Sequence, residues 1–256
     1  DYVANNQLKS VLFKGTTLEN SAAGTIESIS KIELKDIENF ISQTVCLENL
    51  IIVAGGDFEL KEFEKLVKPL LETLNVGKKA QLEEVNFISK KEEKVLIKDT
   101  QQAYIYFGSS FNINSKDEEN YKAKVASFIL GGSGFGSRLM EEIRVKRGLA
   151  YSAYGSISIN KSHSYFSGYL QTKNETADEA KKLVGEIIED FVKNGVTNDE
   201  LSAAKNFLTG SEPLRSETLS QRLNRAFTLY YRGLEPNYSQ KELEKIQNLE
   251  LTDLNN

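Results

Sequence analysis

Histidine and cysteine each occur once in this 256-residue sequence, as His163 and Cys46. A single cysteine excludes a disulfide bond within the chain and leaves the redox compartment open. A single histidine excludes every zinc motif that takes two histidines from one chain. Metal chemistry of that kind therefore needs ligands from outside this sequence.

Long apolar runs and an excess of basic charge are also absent. Uninterrupted apolar runs such as Leu50–Ala54 are far shorter than the roughly 20 residues that span a bilayer. No signal-peptide core follows the acidic Asp1. The net charge is −5, so no basic surplus is available to neutralise phosphates. We therefore expect a soluble protein, cytoplasmic or periplasmic if bacterial, that binds no nucleic acid and spans no membrane.

The length predicts two domains, or one domain and a large part of another. The stretch 75–92 is polar, rich in lysine and poorly periodic, which is typical of a linker. We place the end of a first domain at 1–78, a linker at 79–92 and a second domain, incomplete at its end, at 93–256.

Apolar periodicity and end signals predict the helices. They are expected over these ranges: 2–13, 35–45, 59–74, 117–130 and 136–147. Two later helices begin with a capping box, Thr176 with Glu179 and Thr197 with Glu200. Pro213 should break the second of these, which resumes to about Tyr231. A last helix begins near Ser239, and another start follows at Leu251.

Short runs rich in β-branched and aromatic residues predict the strands. The run Leu50–Val53 predicts a strand buried on both faces. Further strands are expected at 93–98, 101–111, 151–159 and 163–172, the last two as an antiparallel pair. With the helices, this pattern predicts an α+β fold.

Two fourteen-residue segments, 26–39 and 243–256, resemble each other without a gap. Six of the fourteen positions are identical, and three more exchange isoleucine for leucine. Chance similarity between two amphipathic helices is the alternative, but the shared helix start L-x-D-[IL]-x-N favours a duplicated domain. We therefore expect the tail of one α/β domain followed by most of its twin.

The run from Leu130 to Tyr154, LGGSGFGSRLMEEIRVKRGLAYSAY, carries the strongest chemical signal. Its helix should end at Gly148, so that Arg144 and Tyr151 lie on either side of a tight helix-to-strand turn. A permanently charged guanidinium and a phenol O–H suit a peptide carbonyl or an oxyanion. From the residues alone, a surface ion pair for Arg144 and a half-buried strand position for Tyr151 remain the alternative.

The motif LGG-x-x-x-x-SRL-x-x-x-IR-x-KRGLAYS closely resembles the signature of the non-catalytic half of insulinase-like (pitrilysin) zinc peptidases, which include mitochondrial processing peptidases. The stretch Gly24-Thr25-x-Glu27-x-Ile29 and the run Gly55-Gly56-Asp57 resemble the end of that family's first domain. The resemblance covers nearly the whole chain. It implies two homologous insulinase-like α/β domains, each a mostly antiparallel sheet with helices on one face, the first truncated at its N-terminus and the second at its C-terminus.

The resemblance also implies a division of labour. The family holds zinc in its first domain on an H-x-x-E-H helix, which this sequence lacks, so zinc belongs to a missing N-terminal half or a zinc-bearing partner subunit. Arg144 and Tyr151 match the pair that holds the substrate carbonyl near zinc. The implied function is the clasping portion of a peptide-hydrolysing enzyme, inactive alone. The alternative is an inactive subunit that binds peptides or scaffolds a homo- or heterodimer.

Other candidate residues point less clearly to chemistry. The loop Gly131–Gly136 superficially suggests a phosphate cradle but lacks the G-K-[ST] ending of a P-loop and follows a helix. We interpret its glycines as turn and packing residues, His163 as a strand residue, and Cys46 as a small buried hydrophobe. Glu141 and Glu142 point to different helix faces, which argues against paired-carboxylate catalysis.

Overall fold

The computed structural model describes residues 1–87 and 90–256, which fall into two compact units. Unit 1 comprises Asp1–Ser21, Glu84–Ser211 and Asn237–Asn256. Unit 2 comprises Ala22–Glu83 and Glu212–Pro236. The division predicted from the sequence, into the end of a first domain at 1–78, a linker at 79–92 and a second domain at 93–256, stays a prediction.

Unit 1 combines an antiparallel sheet with helices, so the α+β fold class is confirmed. Its strands are β1 (Gln102–Ser110), β2 (Ala150–Ile159) and β3 (Ser164–Lys173). Its α-helices are α1 (Tyr2–Leu12), α5 (Asn120–Ser127), α6 (Ala177–Asn194), α7 (Asn198–Gly210), α9 (Tyr238–Asn248) and α10 (Leu251–Asn255). Two π-helical segments, Phe128–Gly132 and Met140–Val145, lie between α5 and β2.

Unit 2 is helical in its described residues. Its α-helices are α2 (Ile26–Ile29), α3 (Leu34–Thr44), α4 (Leu60–Leu71) and α8 (Leu219–Arg232). The predicted helices over 35–45 and 59–74 are thereby confirmed. Within the described ranges of both units, no helix has the length and apolar character needed to cross a membrane.

The sheet has the strand order β1-β3-β2, with β3 antiparallel to both neighbours. The predicted pairing of the last two strands is therefore confirmed. Alternation along the strands sends one set of side chains into the core, where Leu139, Ile143, Ala153 and Leu170 are buried with the apolar stripe of α6. The core on this side of the sheet includes residues of β2 and of the helical segment before it, so it fixes the two elements that flank the predicted turn.

Two predicted strands are wrong. The segment Leu50–Val53 has no regular secondary structure, and both Leu50 and Ile52 are exposed. The segment 93–98 is likewise irregular and exposed. A β-branched run becomes a strand only when another strand completes its hydrogen-bonded ladder, and neither segment has such a partner among the described residues.

Both predicted helix starts are confirmed, at Thr176 and Thr197, but only the second has the predicted capping box. Thr197 and Glu200 form the full capping box of α7. Thr176 makes no capping bond at α6, because its hydroxyl instead bonds the hydroxyl of Thr172 and the carbonyl of Lys173. The break at Pro213 is confirmed, since α7 ends before it and α8 begins after it.

Candidate functional site

The turn between the second π-helical segment and β2 carries the two residues singled out from the sequence. The segment Met140–Val145 is anchored by Leu139, Met140 and Ile143, which are fully buried. This anchoring turns the intervening side chains outward. Gly148, with a φ of 62°, supplies the left-handed residue that ends the helix before β2. π-helical insertions are frequent at functional sites.

Arg138 fixes the beginning of this helix by several hydrogen bonds. Its guanidinium donates to both carboxylate oxygens of Glu200, to the carboxylate of Asp190 at 3.2 Å and to the carbonyl of Gly195 at 2.7 Å. Glu200 is also the capping residue that accepts from Thr197. The Glu200 carboxylate therefore joins the start of α7 to the helical segment that leads from Arg138 to Arg144. The sequence reasoning missed this bond, although the Thr197 capping box marked Glu200 as a structural residue.

Arg144 lies between two exposed aromatic rings. Its guanidinium carbon is 4.4 Å from the centroid of the Tyr151 ring and 4.7 Å from that of the Phe135 ring. Tyr151 is 80% exposed and Phe135 is 68% exposed. Stacking on two rings restricts the arginine, which is half-buried. The structure thus brings Arg144 and Tyr151 together, and it adds Phe135, which the sequence reasoning did not select.

The charged neighbours of Arg144 are paired with each other rather than with it. Lys146 and Arg147 each lie 2.6 Å from a carboxylate oxygen of Glu142. Their hydrogen bonds lower the pKa of Glu142 below its ordinary value. Among the described residues, no carboxylate lies within 4.0 Å of Arg144, so the surface ion pair considered above does not form. Its guanidinium is available to an anionic or carbonyl oxygen.

A β-bulge in β2 sets the direction of Tyr151. The pairing of β2 with β3 shifts register between Ala150 and Ala153, both of which are buried in the core. Two residues, Tyr151 and Ser152, thus separate core positions that one residue would separate in a regular strand. Bulges of this kind redirect side chains. Here the bulge leaves the tyrosine exposed at the start of the strand.

The outer edge of β2 is partly open. In the described part of the chain, β2 pairs with β3 and with no second strand. Farther along, the N–H of Ile157 donates to the hydroxyl of Ser127 at 3.0 Å. A side chain therefore occupies the distal part of the edge. The proximal part, next to Tyr151, has no strand beside it.

Close packing accounts for a glycine in the first π-helical segment, Phe128–Gly132. A Cβ atom on Gly131 would lie 2.5 Å from the backbone nitrogen of Gly155, which is too close. Gly134 and Gly136 have φ values of 68° and 92°, which residues other than glycine rarely adopt. These observations favour the interpretation of the glycines as turn and packing residues.

The other two candidate residues, His163 and Cys46, pack against neighbouring groups of the protein. His163 stacks on Tyr165 and meets the edge of Phe13, and burial lowers its pKa. Cys46 is buried, with its sulfur 3.9 Å from the carbonyl oxygens of Gln43 and Lys78. Within residues 1–87 and 90–256, no three His, Cys, Asp or Glu side chains are grouped so as to hold a metal ion. The described residues therefore do not fit a zinc site.

The chain is similar in sequence to proteins of a peptidase family. Residues 31–208 match the family model described as the peptidase M16 inactive domain. A Helicobacter pylori protein named non-peptidase homolog YmxG is 45% identical over 255 residues, which cover 100% of this chain and 59% of that protein. A Streptomyces coelicolor protein named uncharacterized zinc protease is 25% identical, over 84% of this chain and 48% of its own length. The chain therefore spans about half to three-fifths of these relatives.

Solved structures share the fold. A peptidase M16 inactive domain from Pseudomonas fluorescens superposes with a TM-score of 0.89 at 25% identity, over 99% of this chain and 60% of that chain. A protease from Helicobacter pylori superposes with a TM-score of 0.84 at 19% identity, over 99% of this chain and 62% of that chain. The expected insulinase-like fold is confirmed.

Proposed function

The chain belongs to the peptidase M16 family through its inactive domain, and we propose that its Arg144–Tyr151 corner binds a backbone carbonyl of an extended peptide. The observation that carries this proposal is the position of the Arg144 guanidinium between two exposed rings, with no carboxylate of the described residues beside it. The arginine N–H groups and the tyrosine O–H are the donors that a carbonyl oxygen requires.

The open part of the β2 edge supports an extended conformation for the peptide. A peptide that adds as a strand to a sheet edge gains backbone hydrogen bonds, which give affinity without dependence on its sequence. Tyr151 is the second residue of β2 and lies at that open part, whereas Ser127 occupies the edge farther along at Ile157. Since Gly131 packs against the backbone of Gly155, the peptide would run past the corner and stop short of Gly155.

The non-catalytic form of this function has the stronger support. The relative that is 45% identical is named a non-peptidase homolog. We therefore propose a peptide-binding half that works with a partner domain or subunit. Its association as a homo- or heterodimer is part of the same proposal.

The second candidate is the substrate-clasping half of a zinc peptidase, and the names of the relatives at 23–25% identity favour it. Zinc held outside this chain would supply the Lewis acid that polarises the scissile carbonyl. Arg144 and Tyr151 would orient that carbonyl and stabilise negative charge as it develops on the oxygen. A processing activity on peptide substrates would follow from this form.

Peptide binding can be tested on the natural protein that contains this chain. Fluorescence anisotropy with a set of labelled unstructured peptides would compare the wild type with Tyr151→Phe and Arg144→Gln. A hydrogen bond to a charged group contributes about 1.5–3 kcal/mol, so Arg144→Gln should weaken binding by roughly tenfold to a hundredfold. Tyr154→Phe, on the same strand, and Arg147→Gln, in the turn that follows the helical segment, are matched controls. Equal affinity for all variants would contradict the proposal.

A zinc analysis of the same natural protein separates the two forms. Stoichiometric zinc with peptide cleavage, and a Tyr151→Phe variant that keeps its zinc but loses at least tenfold in kcat, would support the peptidase form. Peptide binding without zinc or cleavage would support the non-catalytic form. Cleavage that is unchanged in Tyr151→Phe would remove the tyrosine from the mechanism.

A further inference from the structure

Asn194 and Gly195 form the only Asn-Gly pair in the sequence, and they lie at the end of helix α6. The side-chain amide of an asparagine can be attacked by the backbone nitrogen of the next residue, and a glycine hinders that attack least. Gly195 has a φ of 69° and a ψ of −155°, a conformation that is essentially restricted to glycine. Asn194 is exposed. A chemically susceptible pair therefore lies at a helix end that water can reach.

Hydrogen bonds on both residues hold this pair in the folded chain. The side-chain amide of Asn194 donates to the carboxylate of Asp190 at 2.7 Å. The N–H of Gly195 donates to the carbonyl of Phe191 at 3.0 Å, and the carbonyl of Gly195 accepts from Arg138 at 2.7 Å. The attacking nitrogen is thus occupied by the helix, and the amide that it would attack is held one turn earlier. Reaction between them requires the last turn of α6 to open.

The side chain of Asn255, on helix α10, limits this opening. It accepts from the N–H of Val196 at 2.8 Å and donates to the carbonyl of Val196 at 3.1 Å. The same side chain fills the space beside Gly195, where a Cβ atom would lie 2.4 Å from its amide oxygen. The ends of elements open at a lower free energy than the core does. The last turn of α6 can therefore fray without global unfolding once the bonds from Asp190 and Asn255 are broken.

We propose that Asn194 is a site of spontaneous deamidation, which proceeds when the last turn of α6 frays. The nitrogen of Gly195 forms a bond to Cγ of Asn194, the C–N bond of the side-chain amide breaks, and the proton of that nitrogen leaves with the amide as ammonia. The product is a succinimide. Water then adds to either carbonyl of the ring and breaks a ring C–N bond, which leaves aspartate or isoaspartate and restores an N–H. The proposal does not depend on the peptide-binding function.

The product places a negative charge four residues after Asp190, at the C-terminal end of α6. Like charges at this spacing and an anion at a helix C-terminus are both unfavourable. The mimic Asn194→Asp should therefore lower the folding equilibrium constant by about twofold to tenfold. Isoaspartate also adds one methylene to the backbone before Gly195, whose carbonyl is bonded to Arg138. Deamidation would thus disturb the arginine that fixes the helical segment leading to Arg144.

Peptide mapping by mass spectrometry tests the proposal on the natural protein that contains this chain, incubated at mildly alkaline pH. The rate of conversion at Asn194 should be roughly tenfold to a thousandfold lower in the folded protein than in urea-unfolded protein. Urea concentrations below the unfolding transition should leave this folded-state rate unchanged, because fraying exposes little surface. The proposal would be overturned by a folded protein that stays unmodified while the unfolded one converts fully. A rate that rises with the global unfolding constant would overturn it as well.

Variants of the two restraining side chains test the control of the site. Asp190→Ala and Asn255→Ala should each raise the urea-independent rate by about twofold to tenfold, the factor that one net hydrogen bond contributes. Glu186→Ala, one turn earlier on α6 and also exposed, is the matched control and should leave the rate unchanged. Asn194→Gln should abolish the product at this position. Wild-type rates in both Asp190→Ala and Asn255→Ala would contradict the proposal.

Discussion

Replacing Arg138 with glutamine tests whether one guanidinium holds the helix that presents Arg144. In the folded chain Arg138 bonds Glu200, Asp190 and the carbonyl of Gly195. The side chain of Arg138 is 16% exposed and that of Glu200 is 24% exposed. The variant therefore leaves a poorly solvated carboxylate without its cation.

The magnitude follows from the burial of the pair. Exposed ion pairs contribute about 0.2–1 kcal/mol, whereas removing one partner of a fully buried pair costs about 3–5 kcal/mol. Since this pair lies between those limits, we expect Arg138→Gln to lower the free energy of unfolding by about 2–3 kcal/mol. At about 2–4 °C per kcal/mol, the Tm should fall by roughly 4–12 °C. Arg147→Gln, which breaks a more exposed pair, is the control and should cost less than about 1 kcal/mol.

The pH dependence provides the refuting result. Burial alone raises the pKa of Glu200, but hydrogen bonds from Arg138 and Thr197 outweigh it, and the net pKa lies below the ordinary 4.5. A carboxyl whose native pKa is lowered adds stability above its unfolded pKa and loses it as the pH falls through the native pKa. Urea unfolding followed by circular dichroism should show the full difference from wild type at pH 7 and a smaller one below about pH 4.5. Equal destabilisation at both pH values would refute the ion-pair explanation.

Three further predictions concern packing and titration. Gly131→Ala should lower the Tm markedly because its Cβ would meet the backbone of Gly155, whereas Gly185→Ala, with open space around it in α6, should stabilise by up to about 1 kcal/mol in thermal unfolding. Burial lowers the pKa of His163 from 6.5, so its folded form favours the neutral ring. Stability should therefore decline as the pH falls below 6.5, and an NMR titration that gave a pKa above 6.5 would contradict this. The buried thiol of Cys46 should react with a disulfide reagent at the rate of local or global unfolding, and instant reaction of the native protein would show that it is accessible.

The sequence by itself determined the elements whose signals are local. The helices at 34–44, 60–71 and 198–210 follow from apolar stripes and capping residues, because both act within a turn or two of helix. The turn that joins the Arg144 helix to the Tyr151 strand follows from the same short-range rules, with Gly148 at its end. These are interactions that a contiguous stretch of chain contains in full.

Only the tertiary structure decided which segments pair and which side chains meet. Leu50–Val53 has the composition of a strand but not a partner, and Thr176 has a capping motif whose hydroxyl is bonded elsewhere. Phe135 joined Arg144 and Tyr151 because the glycine loop folds back beside the helix end, nine residues before Arg144 in the chain. Strand pairing depends on contacts between residues that are distant in sequence, and the ring stacking depends on how a loop folds; local propensity carries no information about either.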